Sequence, residues 1–501
     1  MTALKERSAA FAQRPVMQKI LRFLDGYYYP PVYAALALIS SLTGLEIAFF
    51  YLTAAVIVFA CLFAEDTRSI LVPLVLVMFG MSWRHTPQPP YNSEYLNSMP
   101  VLIALSVLGV IGVSAFVYRM IVWRGGNNFF RGKSAYKWSI AALTAAFLLN
   151  GAFFSGYTAA DLFLGVLFAL SFFAMYIFFF NTLKRREGQG KYMAYLLVLA
   201  SAVICLQLFK ILLFDGVIED GSINKDLLIA GWGMSNNIGG YLAAFLPAPF
   251  YLSYKCRHGW AFYILGFFLY GCVLLTLSRS AALVGAVALV AVAVYLSVKR
   301  SPVRTFARLV NCACVLIAAA VAAVFWEKLR DLFAVFFERG FSDSGRFFIW
   351  ENGIRNFLRA PIFGVGFYEP IAPDWSYEVA NWVFPDLYHN IFIQLIASCG
   401  IVGFAALVFH FVQVALAACR RGFTFDRLFY ISVLCLILGL ALLDNHMFHV
   451  FHALVYSVFL LFTEREQSSV QSRGTEQEEA EQGEEEQSAP SPQEKENGDQ
   501  T

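Results

Sequence analysis

The chain has 501 residues, of which 59% are hydrophobic and only 14% charged, with 50 phenylalanines and a formal net charge of +2. Mean hydropathy is +0.61. A soluble protein does not carry that balance. Nor is it a nucleic-acid signature, because the basic residues fall in short clusters between apolar runs. The net charge averages two unlike regions: residues 464–501 hold 12 acidic against 3 basic side chains, which leaves the preceding residues with 11 positive charges in excess.

Residues 1–29 are basic and lack a compact apolar core followed by a small-residue cleavage site, so a cytoplasmic N-terminal segment is expected rather than a signal peptide. Over 30–326 apolar runs recur at 30–43, 45–64, 69–83, 101–123, 138–154, 158–181, 191–214, 238–254, 259–277, 281–298 and 306–326. A polar interruption occupies 327–388, and further runs follow at 390–418, 428–443 and 446–462. These lengths predict an all-α polytopic membrane protein with about 12 to 14 transmembrane helices and one large loop containing short helices. No internal repeat is evident, so the inverted-repeat pattern of many transporters is not supported.

Charge sets the expected orientation. Lys133/Lys137, Lys184-Arg185-Arg186, Lys255/Arg257, Lys299-Arg300 with Arg304 and Arg308, and Arg420-Arg421 fall in alternate loops, which predicts that this side is cytoplasmic. Both termini then lie in the cytoplasm, and the 327–388 loop, with 9 acidic and 6 basic residues, lies outside. Residues 463–501, rich in Glu, Gln, Ser and Pro, read as a disordered acidic cytoplasmic tail. The 9 cysteines lie mostly inside apolar runs and form no CxxC pair, so they read as small buried hydrophobes rather than a disulfide or metal framework.

Within the loop, apolar residues at helical spacing predict one helix from Trp326 to Arg339 and a second from Ser344 to Leu358, stopped by Pro361. Arg346 lies four residues before Trp350, so the two share a helix face, and it opens the helix after a glycine, where backbone N–H groups also suit phosphate oxygens. Arg355 and Arg359 form a second stripe beside Glu351, for which a solvated ion-pair face is an adequate account. Arg279, in Thr276-Leu-Ser-Arg-Ser, sits between two apolar runs, where an arginine either reaches the interface or meets an anion. His389 opens the run after the loop and is followed by Asn390. A neutral imidazole there suits removal of a proton from a hydroxyl nucleophile, and guanidinium forks suit a diphosphate leaving group. With no Asp-x-Asp outside the apolar runs and no phosphate-cradling glycine loop, the reading is metal-independent glycosyl transfer from a lipid-linked donor, with no cofactor. His446, His449 and His452 share a helical face and invite a zinc site, but their setting beside Asp444, Asn445, Met447, Phe448 and Phe451 favours a structural or glycan-lining role.

Four pieces of the chain together resemble the O-antigen ligase/polymerase superfamily of bacterial membrane glycan enzymes. They are Gly233-Met-Ser-Asn-Asn237-Ile-Gly-Gly-Tyr-Leu-Ala, Thr276-Leu-Ser-Arg279-Ser-Ala-Ala-Leu, Gly345-Arg346 to Trp350 with Pro361-Ile-Phe-Gly364-Val-Gly366, and His389-Asn390-Ile-Phe-Ile-Gln-Leu with Gly400-Ile-Val-Gly403. The resemblance implies attack by an acceptor hydroxyl, on glycan, lipid or protein, on an undecaprenyl-diphosphate-linked glycan at the outer face of the bacterial cytoplasmic membrane, with inversion and without metal. In that mapping His389 is the base, and Arg279 and Arg346 contact the diphosphate. A further loop arginine corresponds to Arg355 or Arg359, and Asn237 and Asn390 are additional candidates. Two readings from other classes stand beside this one: an exporter or flippase of lipid-linked sugars, and a non-catalytic scaffold of an envelope polysaccharide complex.

Overall fold

The computed structural model describes residues 6, 8, 10–80, 99–122, 129–132, 134–219, 222–230, 233–327, 330, 346–367, 388–419 and 424–466. Every apolar run is met by a helix. After a short amphipathic helix α1 (Pro15–Leu24) come α2 (Tyr29–Thr43), α3 (Glu46–Phe63), α4 (Arg68–Gly80), α5 (Met99–Val122), α6 (Lys137–Leu148), α7 (Ala159–Thr182) and α8 (Gln189–Phe214). A two-residue hairpin, Ile218–Glu219 with Ser222–Ile223, then leads to α9 (Ser235–Phe245) and α10 (Pro247–Lys255), one apolar run divided at Pro247. The remaining helices are α11 (Gly259–Leu275), α12 (Arg279–Val298), α13 (Arg304–Val324), α14 (Arg346–Arg359), α15 (Ile391–Cys419), α16 (Phe425–Leu443) and α17 (450–466).

Among the described residues seven of these helices have the length and hydropathy to cross a membrane, and shorter apolar helices accompany them. The protein is an all-α, multi-pass membrane protein. Of the two loop helices expected, the second is α14, while most of the first lies outside the described residues. The cysteine reading needs a correction. All nine are free thiols, but Cys312, Cys419 and Cys435 are exposed on helix faces rather than buried, because a thiol is apolar enough to face lipid as readily as a core.

Three helices distant in sequence meet in an aromatic knot: the Phe79, Tyr241 and Phe451 rings, from α4, α9 and α17, have centroids 4.9–5.6 Å apart and are almost fully buried. At one end of the bundle the loops are tied by ion pairs. Arg186 meets Asp25 at 2.5 Å and Asp66 at 2.8 Å, Arg68 meets Asp25 at 3.1 Å, and Lys255 meets Asp426 at 2.6 Å. Glu464 accepts hydrogen bonds from Ala135 N–H, Ser134 and Tyr176 at the same end. Helix α17 therefore continues to 466, past the 463 boundary at which the tail is expected to begin, because this carboxylate is fixed by three donors. From 467 the tail lies outside the described residues.

At the opposite end α15 is broken. Gly400 has φ 64° and ψ −159°, a conformation reserved for glycine, which releases two carbonyls and two N–H groups from the helical ladder. The segment after α14 takes them up. Val365 N–H donates to Ala397 O at 2.9 Å and Gly366 N–H to Ser398 O at 3.1 Å, while Ile401 and Val402 N–H donate to Pro361 O and Ile362 O at 2.9 and 3.3 Å. Phe367 N–H reaches Asn150 at 3.2 Å and Gly151 N–H reaches Phe363 O at 2.8 Å. Non-helical backbone at membrane depth persists only where protein satisfies it, and this loop does so. Gly400→Ala should cost about 1–3 kcal/mol from backbone strain alone. Thermal unfolding of the detergent-solubilised protein checks this, and a midpoint equal to that of the parent chain would refute it.

Candidate active site

His389 stands one residue after the loop and two before α15, with its backbone in the left-handed region at φ 52°. A β-carbon makes that conformation costly, so neighbours must hold it. They do. Tyr388 N–H donates to Gln394 Oε1 at 2.9 Å, Tyr388 O accepts from Trp350 Nε1 at 2.9 Å, and His389 N–H donates to Asn445 Oδ1 at 2.8 Å. Asn356 of α14 donates to the Tyr388 hydroxyl at 2.8 Å.

The ring is fixed from the other side. His389 Nδ1 lies 2.6 Å from Asp444 Oδ1, and Arg346 approaches Asp444 Oδ2 at 3.6 Å. Asn445 N–H also donates to Asp444 Oδ1, at 2.8 Å. Asp444 ends α16 and its side chain is 7% exposed, whereas that of His389 is 36% exposed. Burial works against the Asp444 charge. The His389 hydrogen bond, the nearby His446 and the Asn445 N–H outweigh it and hold the carboxyl well below the usual carboxylate range. An ionised carboxylate on Nδ1 selects the tautomer with its proton there, which leaves Nε2 as the basic nitrogen.

Below this pair His446, His449 and His452 have ring centroids 4.9–6.2 Å apart. His452 stacks on Tyr241 at 4.4 Å. His446 lies against Gly240 of α9, where a β-carbon would come within 2.6 Å of its Nδ1. The preceding residue, Gly239, packs on the turn that carries Arg279, with a β-carbon there 2.6 Å from Thr276 Oγ1 and 2.8 Å from Ser278 Cβ. Two adjacent glycines of α9 thus bring the Arg279 turn and the histidine turn against one helix. Among the described residues no three His, Cys, Asp or Glu side chains are arranged to hold a metal ion.

The other candidates fall as follows. Arg279 is the exposed first residue of α12, two residues after Leu277, whose backbone is also left-handed at φ 57°. Asn237 is half-buried in the first turn of α9 beside Gly233. Asn390 caps α15, its Oδ1 accepting from Phe392 and Ile393 N–H at 2.9 and 3.2 Å, and it ties that end to Leu442 O at 2.9 Å. Arg355 pairs with Glu351 at 2.6 Å, both well exposed, as a solvated ion-pair face does. Arg359 donates to Asn356 at 2.8 Å and lies 5.1 Å from the Phe154 ring centre. Sequence reasoning passed over the roles of Asp444, Asn445 and Trp350. The only signal was a polar Asp-Asn-His triplet directly after the 19-residue apolar helix α16.

Residues 262–408 match the family model described as O-antigen ligase. The stretch contains Arg279, Arg346 and His389, and it supports the resemblance to the O-antigen ligase/polymerase superfamily over that part of the chain. The domain supports a ligase- or polymerase-type glycosyl transfer in glycan assembly. No curated protein matches the chain.

Proposed function

We propose that the protein transfers a glycan from an undecaprenyl-diphosphate-linked donor to an acceptor hydroxyl at the outer face of the bacterial cytoplasmic membrane, without metal. What carries this reading is the pairing of His389 Nδ1 with the Asp444 carboxylate at 2.6 Å, which reserves Nε2 for a substrate proton. As the acceptor oxygen bonds to the anomeric carbon, its proton passes to Nε2. The bond from that carbon to the diphosphate oxygen breaks, and its electron pair leaves on the diphosphate. Asp444 offsets the charge that appears on His389, and Arg279 and Arg346 offset the charge on the leaving group.

His389→Ala should reduce transfer by about 10²–10⁴-fold, the contribution of a positioned base, while donor affinity is kept. Asp444→Asn should also slow transfer, since an amide neither selects the tautomer nor offsets imidazolium. Arg279→Ala and Arg346→Ala should each weaken donor binding by about 2–5 kcal/mol, with Lys restoring only part. The assay is transfer from purified polyprenyl-diphosphate glycan in detergent, which a flippase does not perform. A fully active His389→Ala enzyme would remove the base, and chelator-sensitive transfer restored by zinc would revive a metal role.

The orientation rests on the basic clusters and on the ion-paired end described above, which carries Lys184 and Arg186. In spheroplasts an impermeant thiol reagent should label Ser376→Cys and spare Ser468→Cys, scored above the native cysteines. The reverse pattern would place the catalytic residues in the cytoplasm and exclude the outer-face reaction.

A further inference from the structure

Resting on the reading of His389 as base, we infer that Asn445 is a positioning residue of the reaction, gripping both members of the His389–Asp444 pair at once. Its side-chain oxygen accepts the His389 N–H at 2.8 Å, and its own N–H donates to Asp444 Oδ1 at 2.8 Å. The peptide whose N–H Asn445 accepts is held at its other end by Trp350 through the Tyr388 carbonyl, and Gln394 accepts the N–H of Tyr388 one peptide earlier. A left-handed histidine costs strain that the protein recovers only if the peptide is gripped on both sides. Asn445 is the grip on the ring side. Without it the backbone is free to relax toward the ordinary helical or extended region, which swings the imidazole off Asp444.

The asparagine side chain has a second consequence. Its oxygen is committed to the His389 N–H, so its Nδ2 is the atom that faces the ring, 3.3 Å from His389 Nδ1. That nitrogen shares its proton with Asp444 at the shorter distance of 2.6 Å, so the amide is a neutral neighbour rather than a competing acceptor. The charged or titratable groups around the ring are Asp444 at the end of α16, Arg346 on α14, and His446 and His449 in the turn before α17. Asn445 lies among them and keeps the base from gaining a second anion. A carboxylate in its place accepts the same backbone N–H but adds negative charge beside Nδ1. The imidazolium is then stabilised, and a higher pH is needed to free Nε2.

The test compares Asn445→Ala and Asn445→Asp with the parent enzyme and with His389→Ala, all in detergent. Binding of undecaprenyl diphosphate serves as the control for folding and for an intact donor site. Asn445→Ala should lose about 10²-fold in kcat, the scale of a small misplacement of a catalytic group, with undecaprenyl diphosphate binding unchanged. Asn445→Asp should recover much of that rate at high pH, and its acidic limb in the kcat–pH profile should move to higher pH. A purely structural asparagine would give neither the recovery nor the shift. If His389→Ala is inactive while Asn445→Ala keeps full rate, or Asn445→Asp leaves the acidic limb in place, this inference fails alone. If His389→Ala retains transfer, the underlying reading fails and takes this inference with it.

Discussion

Four backbone hydrogen bonds between the broken helix α15 and the segment Pro361–Gly366 set the geometry of everything at that end of the molecule. Gly400 breaks the ladder, and in a membrane the released carbonyls and N–H groups have no water to turn to. The loop that satisfies them is the direct continuation of α14, so the bonds that repair α15 also fix where α14 lies. Helix α14 then reaches across to the peptide ahead of His389 through Trp350 and Asn356, and its first residue, Arg346, comes to Asp444. A backbone requirement is thereby converted into the placement of His389 and Arg346.

The His389–Asp444 pair is assembled from two chain segments that share no local sequence logic. His389 lies just before α15 and Asp444 just after α16, so both stand at the same end of two antiparallel helices. The floor beneath them is α9, whose paired glycines admit the Arg279 turn on one side and His446 on the other. Side chains at Gly239 and Gly240 would push both apart. The Phe79–Tyr241–Phe451 knot anchors α9 to α4 and α17 below that level. Rigidity at this end comes from packing and satisfied backbone together with the contacts of Asp444 to His389 and Arg346.

Much of the architecture was legible because lipid imposes a simple rule. Apolar length gives the helices, and helices were found at every run, with α9 and α10 divided where Pro247 requires it. The α14 boundaries follow from a glycine, an apolar period and Pro361. The site was legible only in part. His389 and Arg346 could be singled out because a polar residue at the edge of an apolar run carries information by its rarity. Asp444 could not be assigned to His389, since 55 residues separate them and only the packing of α15 against α16 closes the gap. Asn445 was hidden for the same reason, and the loop's pairing with Gly400 has no side-chain signature at all.

Asp444 lies between two of the candidate site residues. Its Oδ1 serves His389 and its Oδ2 faces Arg346 at 3.6 Å, a separation longer than a direct hydrogen bond. In the proposed reaction a diphosphate competes with Asp444 for that guanidinium and offers the better bidentate partner. As Arg346 turns toward it, the carboxylate's field falls more completely on the imidazole. Donor binding and the His389–Asp444 contact are then coupled through one side chain in the proposed reaction, and the coupling is reciprocal. In that reading a donor that engages Arg346 leaves Asp444 to His389 alone, and an imidazolium on Asp444 leaves Arg346 freer for the diphosphate product. On the proposed mechanism, Asp444 is then committed most fully to His389 once a donor is in place.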